Sequence, residues 1–383
     1  MDTLRAARPL ALALYIVCVF AGTFNGLLLM VGWTALGLAF ISWYVTPDRP
    51  KQDPRAWAVL GVIVLSHLAA IPGAVWFGTG NWILTVSAFY WLLPALVVFL
   101  IADARVFTWL IWIAVIHAGS ILWFVGSPGY PSGLTFNANV GAGLLIVGIG
   151  LTFGMRRHWW AIVPLICAVP LTGSRLAVLG IIVIISLSLV TNSLTWRRVI
   201  GAVVLCGVSF YGAWVHSITL ESVINDIGVR WEVPAWPDLF PHGVVEHLGL
   251  HNVPLRMARE AGIVAAAGWL ILSAWALIRY RNTPAWWLMG VILLLSIVDH
   301  YTWRVHLGTL WFLAAGIQLR DTQRPRPAVP LPVPDIQPMP RPGPTVFVSG
   351  PDSARPPGDP PASGGGPAPI CAYRSPRRPR PVI

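Results

Sequence analysis

Charged side chains are scarce in this sequence. Only 11% of its 383 residues are Asp, Glu, Lys or Arg, whereas 56% are hydrophobic, and the mean hydropathy is +0.69. Because soluble domains carry roughly a quarter charged residues, this scarcity excludes an ordinary soluble domain. Apolar runs long enough to cross a ~30 Å hydrocarbon core recur along the chain, and helices satisfy the backbone in such runs. The sequence therefore predicts an all-α, polytopic integral membrane protein.

Lysine and cysteine are nearly absent as well. Of the 26 basic residues all but Lys51 are arginine, and the four cysteines are scattered without the spacing of a disulfide framework or a zinc site. The sequence also lacks a Gly-rich nucleotide loop, an HExxH motif and a run of carboxylates. We therefore expect no metal and no cofactor. The net charge of +11 lies mostly in short loops and in the tail, so we expect no nucleic-acid partner.

The apolar runs predict about 12 transmembrane helices. The candidate spans are 9–24, 26–45, 57–76, 82–102, 107–125, 137–154, 159–171, 176–191, 199–216, 261–278, 285–299 and 306–318. With a cytoplasmic N-terminus, every even-numbered loop is basic, as cytoplasmic loops usually are. These loops carry Arg49, Lys51, Arg55, Arg105, Arg156, Arg157, Arg197, Arg198, Arg279 and Arg281. We expect a multi-pass membrane protein with both termini on the cytoplasmic side.

Composition also divides the chain into two parts. Residues 1–319 are predicted to form the transmembrane domain, with a large extracytoplasmic loop at about 217–260. Residues 320–383 hold 19 of the 34 prolines, with Gly, Ser and Arg between them. Such a segment cannot bury a core, so it is predicted to be a disordered, basic cytoplasmic tail that can touch anionic membrane lipid.

Ionisable residues concentrate in "HLGLHNVPLRMAREAG", residues 247–262. Asn252 can cap a helix whose first turn tolerates Pro254, and the pattern predicts one helix over 253–278. Its length of roughly 39 Å exceeds the ~30 Å core, which would leave the first two turns at the outer interface. His251 directly precedes this helix. The positive helix end disfavours imidazolium, so a neutral His251 could accept a proton.

Further polar residues lie on the same predicted outer side. "PLTGSRLAVLG", 170–180, has Pro170 and Gly173 between two spans, and Arg175 begins the next helix. Five arginines break the charge rule by lying outside, and we predict that such residues are functional: Arg175, Arg230, Arg256, Arg259 and Arg304. "GYPSGLTFNANVGAGLL", 129–145, opens a helix of small residues at Asn137 and Asn139.

Three of these segments together resemble the O-antigen ligase and Wzy-type polymerase family of bacterial glycan-transfer enzymes. "TFNANVGAGLL" is similar to the family's Asn-bearing helix start, and "LTGSRLAVLG" is similar to its Thr-Gly-Ser-Arg segment. "HN", nine residues and then Gly262 are similar to the ligases' His motif at the end of the outer loop. Ala265 departs from the Gly, Thr or Tyr that ligases usually have there, which favours a polymerase over a ligase within the family.

The resemblance implies a GT-C-like twelve-helix fold in the bacterial cytoplasmic membrane. It implies transfer of a glycan from undecaprenyl diphosphate to a lipid or glycan acceptor at the periplasmic face, without metal. With one histidine as base, a single displacement would invert the anomeric carbon, in analogy with inverting glycosidases. By position, Arg175 and Arg230 would bind the diphosphate, and His251 would activate the acceptor hydroxyl. Supporting roles would fall to Asn137, Asn139, Ser174, Asn252, Arg256, Arg259, Glu260 and Arg304.

Several alternatives remain open. Within the family, the chain could be a repeat-unit polymerase or a protein O-oligosaccharide ligase, because the sequence does not identify the acceptor. A transporter or flippase would place ionisable groups inside the spans, where His67 and His117 lie. A non-catalytic membrane scaffold would leave the outer Arg and His residues unexplained.

Overall fold

Helices follow the apolar runs of the chain. The computed structural model describes residues 2–22, 26–47, 49, 51–77, 81–123, 133–135, 138–155, 158–191, 200, 201, 203–208, 211, 253–298 and 306–320. The helices are α1 Asp2–Gly22, α2 Gly26–Tyr44, α3 Pro54–Phe77, α4 Trp82–Ile101, α5 Val106–Trp123, α6 Ala138–Met155, α7 Ile162–Ala168, α8 Arg175–Val190, α9 Val253–Ala261, α10 Ile263–Arg279, α11 Pro284–Val298 and α12 His306–Gln318. Residues 200, 201, 203–208 and 211 are also helical.

The predicted all-α class is confirmed for the described residues, which contain no strand and one isolated antiparallel bridge between Gln52 and Arg320. Helices α2 to α6 are long and apolar enough to cross a membrane, and α1, α10 and α11 contain shorter apolar stretches. The composition of these helices is that of a membrane protein. The count of twelve spans stays a prediction, and half of span 199–216 lies outside the described residues.

These helices belong to one unit of the chain, Met1–Gln323. The second unit, Arg324–Ile383, lies outside the described residues. The same holds for most of the predicted outer loop at 217–260, apart from its last residues in α9. The domain boundary and the disordered tail therefore stay predictions.

Helix α6 forms the centre of the described bundle, and its residues from Val140 to Phe153 are buried. Its glycines let neighbouring helices approach closely. An added Cβ at Gly148 would stand 2.6 Å from the Ala114 Cβ of α5, and one at Gly150 would stand 3.0 Å from Val291 of α11. In lipid the hydrophobic effect does not drive helices together, so the van der Waals contacts that small residues allow at such crossings are what hold the helices in place.

Most of the described basic loops meet at one end of the bundle. Asp53, before α3, accepts a hydrogen bond from Arg279 Nη1 at the end of α10 (3.2 Å), and its N–H donates to Leu319 after α12 (3.0 Å). Arg8 of α1 contacts Asp103 of the α4–α5 loop (2.8 Å). We call this the basic end: the start of α1, the α2–α3, α4–α5 and α10–α11 loops, and the end of α12. The alternation of arginines along the sequence predicted this grouping.

Helix α12 is fixed against α10 by two tryptophans. The rings of Trp269 and Trp311 are stacked with centroids 5.8 Å apart, and both side chains are buried. The indole N–H of Trp311 donates to Ser273 Oγ (3.0 Å). Because α10 and α12 both finish at the basic end, α9 and the start of α12 lie toward the opposite end, together with the starts of α6 and α8.

Candidate functional site

The Thr-Gly-Ser-Arg segment forms a tight turn that starts a helix. Pro170–Thr172 is a short 3-10 turn, and Gly173 follows in the left-handed region (φ 61°), where glycine has no steric cost. The Ala177 N–H donates to the Ser174 carbonyl (3.0 Å), so Ser174 occupies the cap position and Arg175 is the first helical residue of α8. The predicted chain break and helix start are confirmed here.

A hydrogen bond joins this turn to the Asn-bearing segment. Ser174 Oγ donates to Asn139 Oδ1 (2.5 Å), and Ser174 is buried. Asn139 is the second residue of α6, so the helix start predicted near Asn137 and Asn139 is confirmed. Two segments 35 residues apart therefore meet at the end opposite the basic end. This contact unites two of the three sequence segments singled out above.

The third segment differs from its prediction. A helix begins at Val253 as predicted, but it ends at Ala261, and a separate helix starts at Ile263. The single helix over 253–278 is therefore wrong. Gly262 lies between them with φ 88° and ψ 158°, a backbone region that is essentially restricted to glycine. Its carbonyl accepts the first hydrogen bond of α10, from Ala265 N–H (3.1 Å).

Two of the three charged side chains of helix α9 are buried and paired with each other. Arg256 Nε donates to Glu260 Oε1 (2.8 Å), and the two side chains are 8% and 6% exposed. Helix α9 packs on α3, α10 and α11, which buries this ion pair. The predicted position of Arg256, Arg259 and Glu260 at the outer membrane interface stays a prediction. The i, i+4 spacing of Arg256 and Glu260 was the sequence signal that they pair with each other.

Arg259 differs from its neighbour Arg256. Its Nη1 is buried and has no hydrogen-bond partner among the described residues. A buried guanidinium nitrogen without a partner is costly, because its lost hydration is not replaced. The two arginines of α9 therefore differ in what they can bind. Glu260 neutralises the charge of Arg256, whereas Arg259 has an N–H donor that a ligand could accept from.

The described histidines have local partners. His117 of α5 is buried, and its Nδ1 accepts from the Leu134 N–H (3.2 Å). His67 Nδ1 lies 2.8 Å from the Ile63 carbonyl oxygen, one turn earlier on α3, so this nitrogen is the donor. His306 packs edge-on against Phe20 with ring centroids 5.4 Å apart. These contacts favour packing roles for His67 and His117, as polar residues inside spans often have.

The remaining predicted site residues are not described. Asn137, Arg230, His251, Asn252 and Arg304 lie outside the described residues, and only the backbone of Arg175 is described. Their proposed roles stay predictions. Among the described residues, no group of three or more His, Cys, Asp or Glu side chains is placed to hold a metal ion.

No protein-family model matches the chain, and no curated protein matches it either. The site therefore has to be interpreted from its own chemistry.

The end opposite the basic end combines features suited to an anion. The first turn of α8 has N–H groups without helical carbonyl partners, and the helix dipole adds partial positive charge there. Arg175 starts that turn, and Arg259 of α9 lies toward the same end of the bundle. Phosphate groups bind to such helix ends when an arginine is nearby.

Proposed function

We propose that this chain transfers a glycan from undecaprenyl diphosphate to an acceptor hydroxyl at the outer face of a bacterial cytoplasmic membrane. One observation carries the proposal: the hydrogen bond from Ser174 to Asn139 joins the two glycan-transferase-like segments beside the start of α8. The resemblance of three segments and the apolar helices of a membrane protein add support.

The proposed chemistry needs a stabilised leaving group. When the sugar leaves its lipid carrier, negative charge develops on the diphosphate, and fixed cations that face this charge lower the barrier. Guanidinium groups suit that task because they pair bidentately with phosphate oxygens and stay charged. In this proposal Arg175 and Arg230 bind the diphosphate, and Arg259 adds a third cation.

The acceptor hydroxyl needs a base. His251 lies two residues before α9, whose start at Val253 supports the proposed position beside a helix end. Attack on the sugar by the deprotonated hydroxyl in one displacement inverts the anomeric carbon, in analogy with inverting glycosidases. The proton passes to His251 Nε2 or Nδ1, and the lipid diphosphate leaves.

The acceptor distinguishes three proposals of this class: ligase, repeat-unit polymerase and protein O-oligosaccharide ligase. Surface glycans of a deletion strain separate them. Loss of a ligase leaves finished polymer on the lipid carrier, loss of a polymerase leaves single repeats attached to their final acceptor, and loss of a protein ligase leaves unglycosylated protein.

A second candidate is a transporter or flippase, for which the described residues offer one small pocket beside His67. The pocket lies between α3, α4 and α12 and is lined by His67, Trp91, Leu92 and Phe312, among others. Polar groups inside spans often mark transport paths. In reconstituted vesicles, substrate movement that is lost in His67→Ala but kept in His251→Ala would support this candidate over glycan transfer.

Purified protein with a lipid-linked oligosaccharide tests the main proposal. Arg175→Ala and Arg230→Ala should each lose most transfer. Arg175→Lys should stay impaired, because an ammonium group lacks the two coplanar N–H donors with which a guanidinium group binds phosphate. Arg281→Ala, an exposed arginine at the basic end, is the matched control and should transfer normally. Full transfer by both Arg175→Ala and Arg230→Ala at normal protein levels would refute the proposal that these two arginines bind the diphosphate.

A further inference from the structure

A buried charge cluster lies at the basic end, far from the proposed transfer site. Asp103 accepts hydrogen bonds from Arg8 Nε (3.2 Å) and Nη2 (2.8 Å), and from the Arg105 N–H (3.0 Å) and Nη2 (2.8 Å). Arg8 is only 7% exposed, whereas the Arg105 side chain is about half exposed. The cluster therefore opens to the surface beside Arg105.

A third arginine is held next to this cluster. Gln52 forms an antiparallel bridge with Arg320 and donates from Nε2 to the Phe99 carbonyl (2.9 Å), near the end of α4. One turn before Arg320, an added Cβ at Gly316 would overlap the Phe99 carbonyl oxygen and stand 2.8 Å from Ala102 Cβ. The end of α12 thus packs on the residues that directly precede Asp103.

Among the described residues, this cluster holds more positive than negative charge. Its described members are three guanidinium groups and one carboxylate, which leaves two positive charges in excess. Arg8 Nη1, Arg320 Nε and Arg320 Nη2 are buried without a hydrogen-bond partner among the described residues. Burial lowers the pKa of Arg320 to about 10; Asp103 opposes this change, and Arg8 and Arg105 add to it. A bound anion would supply the missing acceptors and the missing charge.

An apolar surface continues from the opening of the cluster. Trp109, Trp112 and Ile116 of α5 are 42%, 44% and 60% exposed, and they recur at spacings of three and four residues. They therefore share one face of the helix, which begins directly after Arg105. A face of this kind suits an acyl chain, and tryptophans near a helix end are typical of the membrane interface.

We propose that Arg8, Arg105 and Arg320 bind the phosphate of an anionic phospholipid, whose acyl chain lies along Trp109, Trp112 and Ile116. Guanidinium groups match phosphate oxygens in charge and in the spacing of their donors. The site is separate from the proposed transfer site, and it would be occupied whichever activity the protein has.

Thermal unfolding of the purified full-length protein, followed by tryptophan fluorescence in neutral detergent, tests this site. Phosphatidylglycerol should raise the unfolding midpoint more than phosphatidylcholine does, and inorganic phosphate alone should not reproduce the rise. Arg320→Gln should weaken the apparent affinity for phosphatidylglycerol about tenfold or more, as expected for a lost charge-assisted hydrogen bond. Arg281→Gln removes an exposed arginine at the same end and should leave the affinity unchanged.

Three results would overturn the proposal: equal shifts with both lipids, an Arg320→Gln protein that binds like Arg281→Gln, or inorganic phosphate that reproduces the full shift. The last result would assign the site to a soluble phosphate. If Arg320→Gln does not fold, native mass spectrometry of the unchanged protein still measures whether phosphatidylglycerol is retained over phosphatidylcholine, and equal retention would refute the lipid site.

Discussion

Asp103 is a single carboxylate on which two arginines depend at the basic end. Burial by itself raises its pKa, but hydrogen bonds from Arg105 and Arg8 outweigh burial, and the pKa is lowered to about 2. Because this value lies below the ~3.9 of an unfolded chain, the carboxylate contributes stability above pH ~4 and loses it as the pH falls toward 2. The contribution is on the order of 2 kcal/mol.

We predict that Asp103→Asn lowers the free energy of unfolding by about 3 kcal/mol, because it leaves the buried Arg8 without its counter-charge. The stability of this variant should also respond less to pH between 4 and 2 than that of the unchanged protein. Denaturation in detergent at a series of pH values measures both effects. Asp53→Asn is the control: its contact with Arg279 is longer and its side chain more exposed, so it should lose less than ~1 kcal/mol.

His251→Ala tests the proposed base. We predict a loss of transfer of about 10²–10⁴-fold, the usual cost of removing a general base, with an unchanged unfolding midpoint. His251→Asn should not restore transfer, because an amide cannot accept the proton. His242→Ala and His247→Ala in the same loop are the controls and should keep most activity. Wild-type turnover by His251→Ala would show that His251 is not the base.

Among the elements, the two ends of α12 are fixed differently. Its start packs His306 on Phe20, whereas its end lies so close to α4 that only glycine fits at position 316. Helix α2, by contrast, has open space around Gly37. Gly316 is thus tightly packed and Gly37 is not, although both lie in apolar helices and their neighbouring residues do not reveal the difference.

We predict that Gly316→Ala destabilises the protein by about 2–3 kcal/mol, because the new methyl group meets the rigid Phe99 backbone and not a flexible side chain. Gly37→Ala should be neutral or stabilising by ~0.5–1 kcal/mol, since alanine favours the helix and meets nothing. Thermal midpoints of the two variants in the same detergent provide the comparison. Equal midpoints would mean that α12 does not pack on α4 in this way.

For the molecule as a whole, the grouping of basic loops predicts an orientation. With the four native cysteines replaced, Asp238→Cys should react with a membrane-impermeant reagent in intact cells. Arg281→Cys, at the basic end, should react only after permeabilisation. Labelling of Asp238→Cys from the cytoplasmic side alone would invert the orientation and remove the proposed outer site.

Local features were predictable from the sequence, and contacts between distant segments were not. The starts of α8 at Arg175 and of α9 at Val253 follow from turn and capping residues, and both predictions are confirmed. The break at Gly262 was missed because a glycine within an apolar run is compatible with a continuous helix. The contact between Arg8 and Asp103 joins residues 95 positions apart, a separation over which a single sequence shows no pairing signal.

The stacked pair of Trp269 and Trp311 gives the molecule an optical signature. Two indole rings at 5.8 Å in a fixed, chiral arrangement couple their strong electronic transitions, which produces a pair of circular dichroism bands of opposite sign in the far ultraviolet. The two rings belong to α10 and α12, so these bands should disappear when the last helix separates, even while the helical content of the chain is unchanged. The difference spectrum between the unchanged protein and Trp311→Phe would isolate these bands from the other tryptophans and report directly on the docking of α12.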